Sequence, residues 1–131
     1  MTALTEDRNT PMADTQLLSL PAAGGVRIFA GSQVVLSKGF ARPGHDASGL
    51  IAMGRAEQAI DNRDGTDGDQ QVLVRHGMAF RWANDGTVTA AHLGLPAYVI
   101  DDQTVSAEDN GGKRSLAGQI IQLEATGVWV H

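Results

Sequence analysis

The sequence predicts an all-β protein: a small β-barrel or β-sandwich of about 8–10 short strands. An extended N-terminal arm and at most one short helical turn complete the expectation. Three observations carry it. The C-terminal two thirds falls into short β-forming runs broken by Gly, Asp and Asn clusters, ending in Gln119-Ile120-Ile121-Gln122-Leu123-Glu124-Ala125-Thr126-Gly127-Val128-Trp129-Val130. Such punctuation is the mark of strands joined by tight turns. Sixteen glycines supply the positive-φ positions those turns need. Ahead of the β-runs, Met1 to Asp14 carries the polar string Thr5-Glu6-Asp7-Arg8-Asn9-Thr10-Pro11 and no sustained period, so it reads as an arm.

In chain order, Gln16 to Leu20 begins the β pattern, and Pro21 ends it because proline cannot donate to a ladder. Ala22-Ala23-Gly24-Gly25 is a turn. Val26 to Ala30 and Gln33 to Ser37 flank Gly31-Ser32, a connection of hairpin length. Ala41 to Ser48, with Pro43-Gly44, reads as a surface loop. Leu50 to Ile60 mixes helix formers with a central Gly54 and has no preceding cap, so it is assigned as a strand. Asp61 to Asp69 is a turn-forming hairpin loop. Gln71 to His76 and Met78 to Trp82 are strands around Gly77, a bulge or kink. Thr87 to Leu93 has room for one helical turn capped by Thr89. Ala97 to Asp101, Thr104 to Ala107 and the long final strand pair close the chain. No internal repeat is apparent.

At 131 residues the chain has the size of one domain, with residues 1–14 as the arm and 15–131 as a single β-domain. Apolar residues make up 42% but aromatics only 5%, so the expected core is Val, Ile, Leu, Ala and Met. A core of small side chains gives modest stability, which makes oligomerisation a reasonable expectation. The net charge is −5 and the ten Lys and Arg are scattered, leaving no basic stripe for nucleic acid. There is no cysteine, which excludes disulfides and thiolate metal sites. The first residues lack the charged and apolar regions of a secretory signal, and no apolar run reaches the roughly 18–20 residues that span a bilayer. A soluble protein made in the cytoplasm follows as the expectation.

Four aspartates in nine residues at Asp61–Asp69 suggest a calcium loop, but neither register from Asp61 or Asp64 places oxygens at alternate positions. A solvated loop is the expectation. His45, His76, His92 and His131 share no zinc spacing, so no metal and no cofactor are expected. His45-Asp46 has the form of an orienting catalytic pair but no nucleophile nearby in sequence. Gly24-Gly25 and Gly111-Gly112, the latter before Lys113-Arg114, lack the spacing of phosphate loops and are turns. Trp82 and Trp129 sit in β-runs as core residues or as interface residues. The arm is too polar to fold alone and, at about 3.3 Å per residue, reaches about 45 Å. It is either a free tail or a segment ordered on a neighbour, for instance as an added strand.

Several stretches taken together resemble the small capsid decoration, or cement, proteins of tailed bacteriophages and Mu-like prophages. These are Thr5–Pro11, Gly49–Glu57, Asp61-Asn62 with Gly68-Asp69, Val74–Asn84, Tyr98–Val105, and Ser115–Gly118 through Gly127–Val130. The resemblance covers most of the chain but contains no catalytic signature. It implies a β-rich fold, homotrimers at three-fold positions of the shell, the major capsid protein as partner, a place on the virion surface, and no enzymatic activity. The arm residues Thr5, Glu6, Asp7, Arg8, Asn9, Thr10 and Pro11 are then the expected contact with capsid or a neighbouring protomer. A tail-tube or head–tail connector subunit, and a small ligand-binding or hydrolytic barrel using His45 and Asp46, are the alternatives.

Overall fold

The computed structural model describes residues 2–131. Along the chain run β1 (Leu17–Pro21), β2 (Arg27–Ile28), β3 (Gln33–Ser37), β4 (Phe40–Pro43), β5 (Ile51–Ala56), β6 (Ile60–Asp61) and β7 (Gln71–Arg75). Then come β8 (Phe80–Asn84), a single 3-10 turn (Ala90–His92), β9 (Pro96–Val99), β10 (Thr104–Ser106), β11 (Leu116–Glu124) and β12 (Gly127–Val130). The chain is all-β, as its turn spacing predicts. Thr89 caps the one helical turn, where His92 Nδ1 accepts the Thr89 backbone N–H at 2.9 Å.

Two five-stranded sheets divide the chain. The first has the order β1-β7-β5-β3-β4, with every neighbour antiparallel. Its outer edges meet at a single parallel bridge, Ala22 to Ala41, beside an Ala23 N–H donated to Ala41 O at 2.9 Å. The second is a closed barrel, β10-β8-β12-β11-β9, in which only β10 and β8 run parallel. The short ribbon β2-β6 adds Ile28 and Ile60 to the first core. No ladder joins a strand before Gly77 to one after it.

These two sheets are the same fold twice. In each, the first strand pairs with the last, the last with the fourth, the fourth with the second, the second with the third, and the third returns parallel to the first. The registers match as well. Leu18 and Leu20 lie opposite Val74 and Val72, just as Phe80 and Trp82 lie opposite Val130 and Val128. Ala22 meets Ala41 where Asn84 meets Val105. Between the partners of Val34 and Val35, β5 skips Met53; between the partners of Ala97 and Tyr98, β11 skips Ala117. Each bulge is followed by a glycine at positive φ, Gly54 at 136° and Gly118 at 149°. The turns into the second strands agree too: Gly31 N–H donates to Ala56 O at 2.8 Å and Gly94 N–H to Ile120 O at 2.7 Å.

The two cores follow from this duplication. Val34, Ala41, Ala56, Val72 and Val74 fill the first barrel, and their counterparts Ala97, Val105, Ile120, Val128 and Val130 fill the second. Alternation along β7 and β12 puts one valine pair inward and leaves Leu73 and Trp129 between them half-buried. Ile28 completes the first cluster, and Trp82 with Val88 the second. Among the described residues the buried core is thus Val, Ala and Ile with Trp82, and no Leu or Met belongs to it.

Four sequence expectations are corrected. Gly31-Ser32 does not close a hairpin, because β2 pairs with β6 and β3 with β4 and β5. The segment Ala41 to Ser48 is a loop only in its second half, since Phe40–Pro43 form β4 and Ala41 is fully buried. Gly77 (φ 74°) is the junction between barrels rather than a bulge within one sheet. The Asp61–Asp69 segment joins two different pairings, β2-β6 and β1-β7, and is no hairpin loop. The Leu50–Ile60 stretch is strand at both ends, β5 and β6, with residues 57–59 between them.

Candidate interaction surfaces

The arm is the first candidate. Met1 lies outside the described residues. Thr2 to Gln16 are all exposed and carry no strand or helix, with Leu4 72% and Met12 99% accessible. Thr5, Glu6, Asp7, Arg8, Asn9, Thr10 and Pro11 therefore present every side chain to solvent. Attachment to the body begins only at the end of the arm, where Asp14 Oδ1 accepts the Gln16 N–H at 2.9 Å and Gln16 O accepts the His76 N–H at 2.9 Å.

The Asp61–Asp69 loop is organised around Asn62, which is 2% exposed. Its Nδ2 donates to Ala23 O at 2.9 Å and to Thr66 O at 3.0 Å. Asp67 Oδ1 accepts the Gly24 N–H at 2.8 Å, and Asp69 Oδ2 accepts the Thr66 N–H at 2.8 Å. Arg63 grips Asp61 with Nε and Nη2 at 2.9 and 2.7 Å, and these side-chain bonds hold the Asp61 carboxyl down at about 2. Asp61, Asp67 and Asp69 thus serve backbone donors and an arginine, and the segment is a cap folded back onto the Ala22–Gly24 turn. Among the described residues no group of three or more His, Asp or Glu is placed to hold a metal ion.

The histidines stand apart from one another. His45 Nδ1 lies 3.1 Å from Pro43 O, His76 Nδ1 lies 2.6 Å from Met53 O, His92 serves the Thr89 cap, and His131 is exposed at the chain end. Asp46 does not orient His45. It pairs instead with Arg114, whose Nε lies 3.2 Å away and whose Nη1 also donates to Glu108 O at 2.9 Å. The basic pair Lys113-Arg114 is therefore split: Arg114 ties the loop after β4 to the second barrel, while Lys113 is exposed. The Gly111-Gly112 turn has positive φ at both residues. Trp82 is core, at 7% exposure; Trp129 is half-buried and donates from Nε1 to Glu124 Oε1 at 2.7 Å.

Between the barrels lies a groove that sequence spacing does not announce. Arg55 and Arg75 from the first barrel and Phe80, Arg81, Trp82 and Trp129 from the second line it, with a volume of about 610 Å³. The Arg55 guanidinium sits 5.2 Å from the Phe80 ring centre, and that of Arg81 sits 5.9 Å from Trp129. Glu57 bridges Arg55 and Arg75, which hold its carboxyl below the usual range, and Glu124 is lowered by Trp129 and Arg81. The lining residues come from β5, β7, β8 and β12, with Glu57 just after β5 and Glu124 on β11, so only the fold brings them together. The groove's cations are already engaged by carboxylates, which makes it a seam between barrels.

Further contacts lock that seam. Gln33, 2% exposed, donates its backbone N–H to Asp102 O at 2.7 Å and its Nε2 to Asp101 O at 3.2 Å. Ser115 Oγ donates to Ala47 O at 2.6 Å and accepts the Leu50 N–H at 2.9 Å. Sequence reasoning missed Gln33, Asn62 and Arg114. A lone polar residue in or beside a β-run gives no signal until its buried partners are known.

The exposed large apolar side chains form the last candidate. Ile51 (61%) and Leu116 (55%) line one shallow depression of about 340 Å³. Leu93, Leu95 and Pro96 are exposed beside the β9–β11 pair. No protein-family model, curated protein or solved structure matches this chain.

Proposed function

We propose that this chain is a structural virion protein that binds the outside of a phage capsid as a symmetric oligomer, a homotrimer, and stabilises the shell by bridging major capsid protein subunits. The observation that carries the reading is the arm. Fifteen consecutive described residues, Thr2 to Gln16, leave the first barrel fully exposed, ready to be ordered by a neighbouring surface. The sequence resemblance to decoration proteins supplies the identity of that surface. In this reading the protein acts without catalysis, cofactor, nucleic acid or membrane.

The mechanism is multivalent. A decoration protein occupies many equivalent sites and opposes the outward pressure of a packaged genome. When a symmetric oligomer engages one shell subunit, its remaining contacts become effectively intramolecular, so each can be weak while the whole is firm. Three-fold symmetry matches a three-fold junction in the shell. A net charge of −5 keeps finished particles apart.

The test is cryo-EM of particles from the phage or prophage that encodes this chain, with full-length protein and a variant lacking residues 1–14. Density for a β-module over the three-fold positions, lost on deletion while the melting temperature stays unchanged, is the expected result. Equal occupancy by the deleted variant would remove the arm's role. A bare shell carrying the protein in the tail would replace the capsid reading with a tail-tube or connector role.

A further inference from the structure

The face with which the first barrel holds the second has a counterpart on the second barrel that is exposed at Leu95, Pro96, Leu116 and Gln119, and we propose that this exposed patch binds a second copy of the chain. The inference rests on the oligomer part of the reading above and not on its capsid part.

The duplication makes the comparison residue by residue. Ser32 and Gln33 enter the second strand of the first barrel and are 6% and 2% exposed, with Gln33 bonded to the carbonyls of Asp101 and Asp102 in the second barrel. Their counterparts are Leu95, 49% exposed, and Pro96, also exposed. Ala52, opposite Val35, is half-buried and lines a cavity shared with Phe80, Trp82, Ala117 and Val130 of the other barrel. Its counterpart opposite Tyr98 is Leu116, 55% exposed. Arg55 is half-buried over Phe80, whereas its counterpart Gln119 is exposed.

The chemistry at these positions runs against solvent exposure. Where the covered face has Ser32, Gln33 and Ala52, the open face has Leu95, Pro96 and Leu116. A face that only met water would have no cause to exchange polar and small residues for leucines, and grouped exposed apolar side chains mark interaction sites. A depression of about 340 Å³ lies there, lined by Gly94, Pro96, Leu116, Gly118, Gln119 and His131. Ile51, which shares a second depression with Leu116, extends the patch toward the first barrel. The occupant follows from the internal precedent: on the first barrel, this face already holds a barrel of this same topology. Repeating that contact between molecules joins chains head to tail, and such a contact closes into a ring when its rotation permits.

Sedimentation velocity on the full chain tests the interface, using the wild type, Leu116→Glu, Leu95→Glu and, as a control on β11, Ile121→Glu. The wild type and Ile121→Glu are expected to sediment as oligomers, and both leucine variants at the 13.8 kDa of one chain, with far-UV circular dichroism unchanged. Should Leu116→Glu unfold, Leu95→Glu alone decides. A monomeric wild type, leucine variants that stay oligomeric, or a control that dissociates equally would overturn the proposal. Capsid binding, measured in parallel, separates the two readings. An oligomer that ignores capsids keeps this interface and removes the capsid role; a wild-type monomer that decorates capsids does the reverse.

Discussion

Replacing Gly54 by alanine tests the bulge that both barrels share. Gly54 has φ 136°, and a Cβ built there would lie 1.9 Å from Arg75 O and 3.0 Å from its carbonyl carbon. Two costs combine. Holding a non-glycine residue in that backbone region costs about 1–3 kcal/mol, and pushing the end of β7 aside costs about 1–3 kcal/mol as overpacking. The sum, about 4 kcal/mol, is a large share of the roughly 5–15 kcal/mol that holds a domain folded. Gly118 is the counterpart, with φ 149°, but its added Cβ meets His131 O at 2.6 Å and Val130 Cγ1 at 2.9 Å. The clash is milder, so about 2–3 kcal/mol is expected. Urea unfolding followed by tryptophan fluorescence reads both. With a slope of about 2 kcal/mol per M, Gly54→Ala lowers the midpoint by about 2 M and Gly118→Ala by about 1 M. A loss below about 1 kcal/mol for Gly54→Ala, or a larger loss at Gly118, would refute the reasoning.

Two further outcomes are expected. Asn62→Ala strips the donor from the buried Ala23 O, while Thr66 O keeps the Asp69 N–H, and one unmatched buried acceptor costs about 1–3 kcal/mol; thermal melts should fall by roughly 4–12 °C, and a change under about 2 °C would mean water replaces the amide. In an NMR pH titration, Asp61 should show a midpoint near about 2, against 3.8 for a free aspartate, and Arg63→Ala should return it toward 3.8. Because the folded value is the lower one, the pair's stabilisation is present above pH 3.8 and lost as pH falls toward 2; an unshifted midpoint would show the pair to be absent in solution.

The strand content was legible because most β-runs are short and most turns carry Gly, Asp or Asn. The Thr89 cap is a local rule and survives folding; the stop expected at Pro21 does not, since Pro21 pairs with Gln71 and the Ala22 N–H still donates to Gln70 O at 2.9 Å. Pairing was less legible. Gly31-Ser32 has the form of a hairpin turn, yet Ile28 is drawn into the first core through β6, and tertiary packing outweighs turn chemistry there. The loop at Asp61–Asp69 reads as solvated because nothing in its composition separates Asn62, whose amide is buried, from the exposed aspartates beside it. Least legible was the repeat. Val72-Leu73-Val74 echoes Val128-Trp129-Val130, and Gly54 echoes Gly118, but most matched positions differ in side chain while agreeing in direction and burial. What the two halves share is register, which a sequence displays only through residue identity. The seam residues Gln33 and Arg114 were illegible for a related reason: their partners lie 68 positions away.

The unlikeness of the two halves has a use during folding. A chain that makes the same barrel twice risks pairing a strand of one with the matching strand of the other, since every hydrogen-bonding position fits equally well. Backbone geometry cannot prevent that exchange, so side chains must. Trp82 stands where the first barrel has Leu20, and Ile120 where it has Ala56, so a strand in the wrong barrel meets a core of the wrong volume. The drift that hides the duplication from a reader of the sequence is what lets the polypeptide tell its own halves apart.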